Sequence, residues 1–168
     1  MKMEKDKCYY TDKFNDSYER IFSFNNRFDG VDEDFYDYFY HCFISSSPEV
    51  TLSFSCSDVE RQKKMLKTSF VYLVNIEACN LSLSTIENIG RGYSANGYHI
   101  SPEVYDCWLD SLIQAVQVFD PLFNEDVDQA WRMFMASGIS LMKHYCDDEA
   151  VKINPPFDSP IDQPNLRS

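Results

Sequence analysis

The chain has 168 residues, 44% hydrophobic, 15% aromatic and 25% charged. That is one domain's worth of protein, far from a disordered or collagen-like profile and large enough for a core that needs no metal clip or disulfide. Fifteen Lys and Arg against 27 Asp and Glu leave a net charge of −12, which argues against diffuse nucleic-acid binding and against approach to an anionic membrane. No apolar run reaches membrane-spanning length, and the opening MKMEKDKCYYTDKF lacks a signal-peptide core, so a soluble, cytoplasmic domain is expected. The six cysteines form no CxxC and read mostly as small buried hydrophobes.

The first dozen residues are polar and read as frayed. Helical spacing begins near Asn15, with Phe14, Tyr18, Ile21 and Phe22 three and four residues apart. Asn25 to Gly30 interrupts it. A second helix is predicted from about Val31 to Ser45, with Phe35, Phe39 and Phe43 on one stripe and Tyr36 and Tyr40 on the next. SSSPEV and the step to Phe54 read as a bend. Asp58 then caps a helix reaching about Ala78, along which Gln62, Leu66, Phe70 and Leu73 share a side.

After NLSLS comes a short helix with Ile86, Ile89 and Tyr93, interrupted by Gly90 and Gly92. Ser101-Pro102-Glu103 is a helix start, with a capping hydroxyl, Pro at the first turn and an early carboxylate. Val104, Trp108, Leu112, Ala115, Val116 and Phe119 continue it as a buried stripe to Asp120-Pro121. The last helix runs from about Glu125 to Cys146 through Val127, Trp131, Phe134, Gly138, Leu141 and Tyr145. Four prolines mark the final twenty residues, so the organisation expected is a domain over 1–146 and a disordered tail over 147–168. Six or seven helices without a convincing strand make an all-α domain.

FYHCFISSSPEVTLSF (39–54), DVERQKKML (58–66), IENIGRGYSANGYHISPEVYDCWLDSL (86–112) and VDQAWRMF (127–134) together resemble bacterial single-domain globins and the globin part of flavohemoglobins. The likeness spans roughly residues 14–145 and implies a globin-like fold of six to seven helices around a central pocket. It also implies heme, with a diatomic ligand such as nitric oxide or oxygen, or peroxide, on its distal side. Tyr40 would face the ligand, Phe54 would stack on the porphyrin, and Gln62 and Leu66 would be the polar and apolar distal residues. Ile89 would wall the proximal side. No flavin or nicotinamide domain follows in the given sequence, so redox turnover would draw on an external donor.

The chain departs from the family where the proximal histidine is expected, because Tyr93 stands there. A phenolate can ligate heme iron, so Tyr93 is either the metal ligand or a core aromatic of a heme-free globin. His99 lies six residues on, in the loop before Ser101, and reads as an exposed or capping histidine, or as the iron ligand if that loop folds inward. Tyr40 and Gln62 either satisfy a diatomic or water on iron, or bond each other or a trapped water and complete a core. Arg61, Lys63, Lys64 and Lys67 form a basic cluster that holds heme propionates or is a solvated face; Arg91 has the same two readings. His41, His144, Trp108 and Trp131 read as surface or core residues. No nucleophile–base pair, paired carboxylates, Zn-spaced ligands or phosphate loop stands out, so no catalytic residue is assigned. The alternative to a heme protein is a heme-free globin fold that binds another apolar ligand or a protein partner. Homodimer formation through the last helices is the partner implied by the resemblance.

Overall fold

The computed structural model describes residues 2–22, 31–54, 58–79 and 101–146. Among these the chain forms six helices and no strand: α1 (Lys2–Phe22), α2 (Val31–Ile44), α3 (Pro48–Phe54), α4 (Val59–Cys79), α5 (Pro102–Phe119) and α6 (Glu125–Cys146). α1 lies on α6 and α2 on α5, while α4 and α5 both pack on α6 and α2 also meets α4. The residue spacing explains these faces. Phe35, Phe39 and Phe43 of α2 are buried together, as are Val104, Trp108, Leu112, Ala115 and Val116 of α5. Each set recurs at three- and four-residue steps, the period that keeps one side of a helix inward.

Helix boundaries follow local chemistry. Asp58 Oδ1 accepts the Glu60 N–H at 3.0 Å and its carbonyl accepts the Gln62 N–H, so Asp58 is the expected cap of α4. Asn124 Oδ1 caps α6 through the Val127 N–H at 3.1 Å, with Glu125, Asp126 and Asp128 in the first turn, where the helix dipole favours carboxylates. α5 starts at Pro102 as expected, although the Ser101 hydroxyl makes no capping bond. The α5 end at Phe119 matches the stop anticipated at Asp120-Pro121.

Three expectations need correction. The first dozen residues are not frayed: α1 begins at Lys2. Its early part is tied to α6 by Tyr9 OH donating to Asp126 Oδ2 and Tyr10 OH to Gln129 Oε1, both at 2.9 Å, with Phe14 stacked on Phe134. SSSPEV and the residues after it are not simply a bend. Pro48 opens a helical turn, where its missing N–H costs nothing, and α3 runs to Phe54. Of the cysteines whose side chains are described, Cys8 is exposed and Cys42 and Cys107 are half-buried, all three as free thiols; the expectation that most cysteines are small buried hydrophobes does not hold for these three. The short helix anticipated around Ile86–Tyr93, the break at 25–30 and the tail lie outside the described residues.

The core is aromatic. Phe14, Tyr18, Phe22, Phe35, Phe70 and Trp131 meet in offset and edge-on contacts where α1, α2, α4 and α6 converge. At one edge of it Asp120 is fully buried and accepts four hydrogen bonds: from Ser17 Oγ at 2.6 Å, Arg20 Nε and Nη2 at 2.7 Å, and the Leu122 N–H at 2.9 Å. Ser17 Oγ in turn accepts Trp131 Nε1–H at 2.9 Å. α1, the α5–α6 corner and α6 are thus joined by one buried polar cluster.

Candidate functional site

Tyr40 follows Tyr36 by one turn on the α2 face turned toward α4, and Gln62 sits in the first turn of α4 because Asp58 sets where that helix starts. Both side chains are buried. Gln62 Nε2 donates back to the Phe54 carbonyl at 2.5 Å, tying α4 to the end of α3. A carbonyl can only accept, so this bond orients the amide and leaves Oε1 facing α2. There Tyr40 OH donates to Gln62 Oε1 at 2.6 Å. Of the two arrangements open from sequence, the pair bond each other.

Joined to this pair through Phe54 is a cavity of about 30 Å³, whose lining includes neither Tyr40 nor Gln62. Phe43, one turn on from Tyr40, and Phe54 form one side. Leu66, one turn on from Gln62, lines it from α4 with Met65, Ser69 and Leu73. Val104, Tyr105 and Trp108 of α5 and Met142 of α6 complete the wall. Ser69 turns its hydroxyl to the Met65 carbonyl at 2.8 Å, so the α4 wall is apolar in effect. Such a space has room for a water or a diatomic molecule, and apolar lining disfavours the water.

The surroundings of the pair are charged. Lys63 Nζ lies 2.8 Å from Asp37 Oδ1 and 5.8 Å from the Tyr40 ring centroid. One turn along, Lys67 Nζ lies 4.8 Å from the Tyr36 ring centroid. The Asp37 hydrogen bond holds the Lys63 ammonium above its ordinary pKa, against a smaller opposing effect of burial. Arg61, Lys64 and Lys67 are exposed.

Four of the six residues anticipated for the site, Tyr40, Phe54, Gln62 and Leu66, therefore meet at one corner where α2, α3 and α4 converge. Ile89 and Tyr93 lie outside the described residues, as do Arg91 and His99. His41 is exposed on α2. Trp131 is a core residue, as read from sequence. Trp108 is not merely core, because its buried face lines the cavity; Tyr105, Met65 and Met142 were not anticipated there at all. Their signal in the sequence is the helical spacing already used to mark buried stripes, which does not separate a core wall from a cavity wall. Among the described residues no group of His, Cys, Asp and Glu could hold a metal ion, and no helix is long and apolar enough to cross a membrane.

Among the described residues, an all-helical arrangement closing on an apolar cavity, with a buried polar pair tied to its Phe54 wall, defines a globin-like protein. The chain is similar, at 32% identity and a TM-score of 0.66, to a solved Pseudomonas aeruginosa PAO1 protein described as structurally highly homologous to a human hemoglobin. The likeness covers 81% of this chain and 97% of that one. The chain belongs to this globin-like family. No protein-family model and no curated protein matches it.

A porphyrin is the group this fold family implies. In kind, the described residues fit one: aromatic and aliphatic walls from α3, α4 and α5, with a hydroxyl–amide pair tied to the Phe54 wall. In size, about 30 Å³ is far below the roughly 300–1,000 Å³ of pockets for larger organic ligands. A macrocycle could be seated only if these walls part.

Proposed function

We propose that this protein is a globin that takes up heme between α2, α4 and α5 and presents the Tyr40–Gln62 pair to a small ligand on the iron. The observation that carries this reading is the buried Tyr40–Gln62 pair, tied through the Phe54 carbonyl to the wall of an apolar cavity. The phenol and the amide satisfy each other at rest, so an entering ligand would have to take over that bond, since either group left without a partner costs roughly 1–3 kcal/mol. Phe54 and Leu66 would bound the macrocycle. Tyr93 would supply the iron ligand. Heme, when bound, would supply an iron that takes a diatomic molecule. Tyr40 would turn its proton from Gln62 to that molecule, and Gln62 would remain anchored through the Phe54 carbonyl. Tyrosinate ligation favours ferric iron, so the role that follows is sensing or handling of nitric oxide or peroxide rather than reversible oxygen storage.

Hemin titration followed by visible absorption tests this. The expected outcome is a Soret band with the charge-transfer absorption of ferric tyrosinate, lost or weakened in Tyr93→Phe and shifted toward an ordinary globin spectrum in Tyr93→His. Absence of a Soret band at saturating hemin overturns the reading. A second reading is favoured by the volume of the cavity: a heme-free globin fold whose wall stays closed around a small apolar ligand. Its mark is a protein that takes up no hemin yet shows perturbed NMR signals from Leu66 and Met142 methyl groups under xenon pressure.

A further inference from the structure

α2 and α4 cross so that residues four apart on one helix meet residues four apart on the other. Tyr36 is matched with Lys67, and Tyr40 with Lys63, each ammonium lying over a tyrosine ring within cation–π range. The two contacts differ in their connections. Lys63 is also anchored to Asp37, and the ring beneath it is the one whose hydroxyl is bonded to Gln62. Asp37 and Tyr40 are three apart on α2, and Gln62 and Lys63 are adjacent on α4. An outer ion pair and an inner hydrogen bond therefore close the same junction side by side.

We propose that Lys63 is a positioning residue for the Tyr40–Gln62 pair: held by Asp37, its ammonium rests against the Tyr40 ring and keeps the phenol proton directed to Gln62. A cation beside the ring is attracted to its negative face and so resists rotation of the ring out of the junction. It also draws electron density from the phenol, which makes the hydroxyl a stronger donor. The Lys63 side chain is three-quarters buried, so its stem is held against the junction. When Lys63 leaves the ring, the Tyr40 hydroxyl leaves Gln62 more readily. The position of Lys63 thus sets how readily Tyr40 can donate to anything entering from the cavity side. That purpose rests on the ligand-facing reading above, whereas the contact itself does not.

The measurement is made on the full chain without hemin, with tyrosine carrying 13C at Cζ and the Tyr40 signal assigned by its loss in Tyr40→Phe. Hydroxyl exchange is read from the deuterium isotope effect on that signal. Lys63→Met keeps the aliphatic stem and is expected to speed exchange about two- to five-fold, the range that one cation–π contact supports. Asp37→Asn should move it in the same direction, and Lys63→Arg should restore the wild-type rate. Lys67→Met, which removes the neighbouring contact only, should leave it unchanged. An unchanged rate in Lys63→Met overturns the proposal. So does failure of Lys63→Arg to restore the rate, or an equal effect of Lys67→Met, which would mark a general loosening of the helix pair. Hemin uptake by the wild-type chain is scored separately, so its failure removes the heme reading and leaves this result standing.

Discussion

Asp120→Ala withdraws the acceptor at the centre of the buried cluster between α1 and the α5–α6 corner. The carboxylate is fully buried, while Arg20 keeps 26% of its side chain exposed. Breaking a buried ion pair by removing one partner costs about 3–5 kcal/mol. The lower part of that range applies, because Arg20 can recover some hydration. The Ser17 hydroxyl proton and the Leu122 N–H also lose their partner, so a loss of about 3–4 kcal/mol is expected. For a chain of this length that lowers the midpoint of thermal unfolding by roughly 6–16 °C, read by circular dichroism or calorimetry. The pH dependence provides a second check. Burial pushes the Asp120 carboxyl upward, but the hydrogen bonds from Arg20, Ser17 and the Leu122 N–H outweigh it and hold the group below its ordinary value. A carboxyl depressed in the folded state contributes stability that is fully present above its unfolded pKa, about 3.9. That contribution is lost as pH falls through the lower folded value. The gap between wild type and Asp120→Ala should therefore be constant near neutrality and shrink only below about pH 4. A gap under about 2 °C at neutral pH would refute a structural role for the cluster. A gap that began to close near pH 6 would refute the assignment of the charge to Asp120.

Tyr40→Phe leaves Gln62 Oε1 buried without its donor and should lower stability to urea by about 1–3 kcal/mol. The double change with Gln62→Leu should cost less than the sum of the singles, because the orphaned amide is gone; additive losses would mean that the two groups do not act on each other. Burial pushes the Cys42 thiol above its ordinary pKa, offset in part by its bond with Tyr38, and the side chain is half-buried. Alkylation at pH 7.5 followed by peptide mapping should therefore label the exposed Cys8 well before Cys42, and the reverse order would contradict the packing of α2.

Apolar spacing carries the identity and extent of α2, α4, α5 and α6, since a three-to-four periodicity is a property of a single segment and is written along it. Contacts between distant segments leave no such trace. Tyr9 and Tyr10 look like part of a polar leader until Asp126 and Gln129 are brought within hydrogen-bond reach, and α1 is longer than its own periodicity suggests for that reason. Ser17, Arg20, Asp120 and Trp131 are each unremarkable in their own neighbourhoods; their meeting depends on how α1 lies across α6, and it bridges more than a hundred positions of chain. The site divides in the same way. Resemblance was sufficient to place Tyr40, Phe54, Gln62 and Leu66 at one corner, but what Tyr40 does with its proton is a relation between two side chains. The Phe54 carbonyl decides it: by taking the amide N–H of Gln62, it turns the amide oxygen toward the phenol. A change at the α3–α4 corner that moved this carbonyl would free the amide to rotate. The donor presented to the cavity would then change although neither Tyr40 nor Gln62 had been altered.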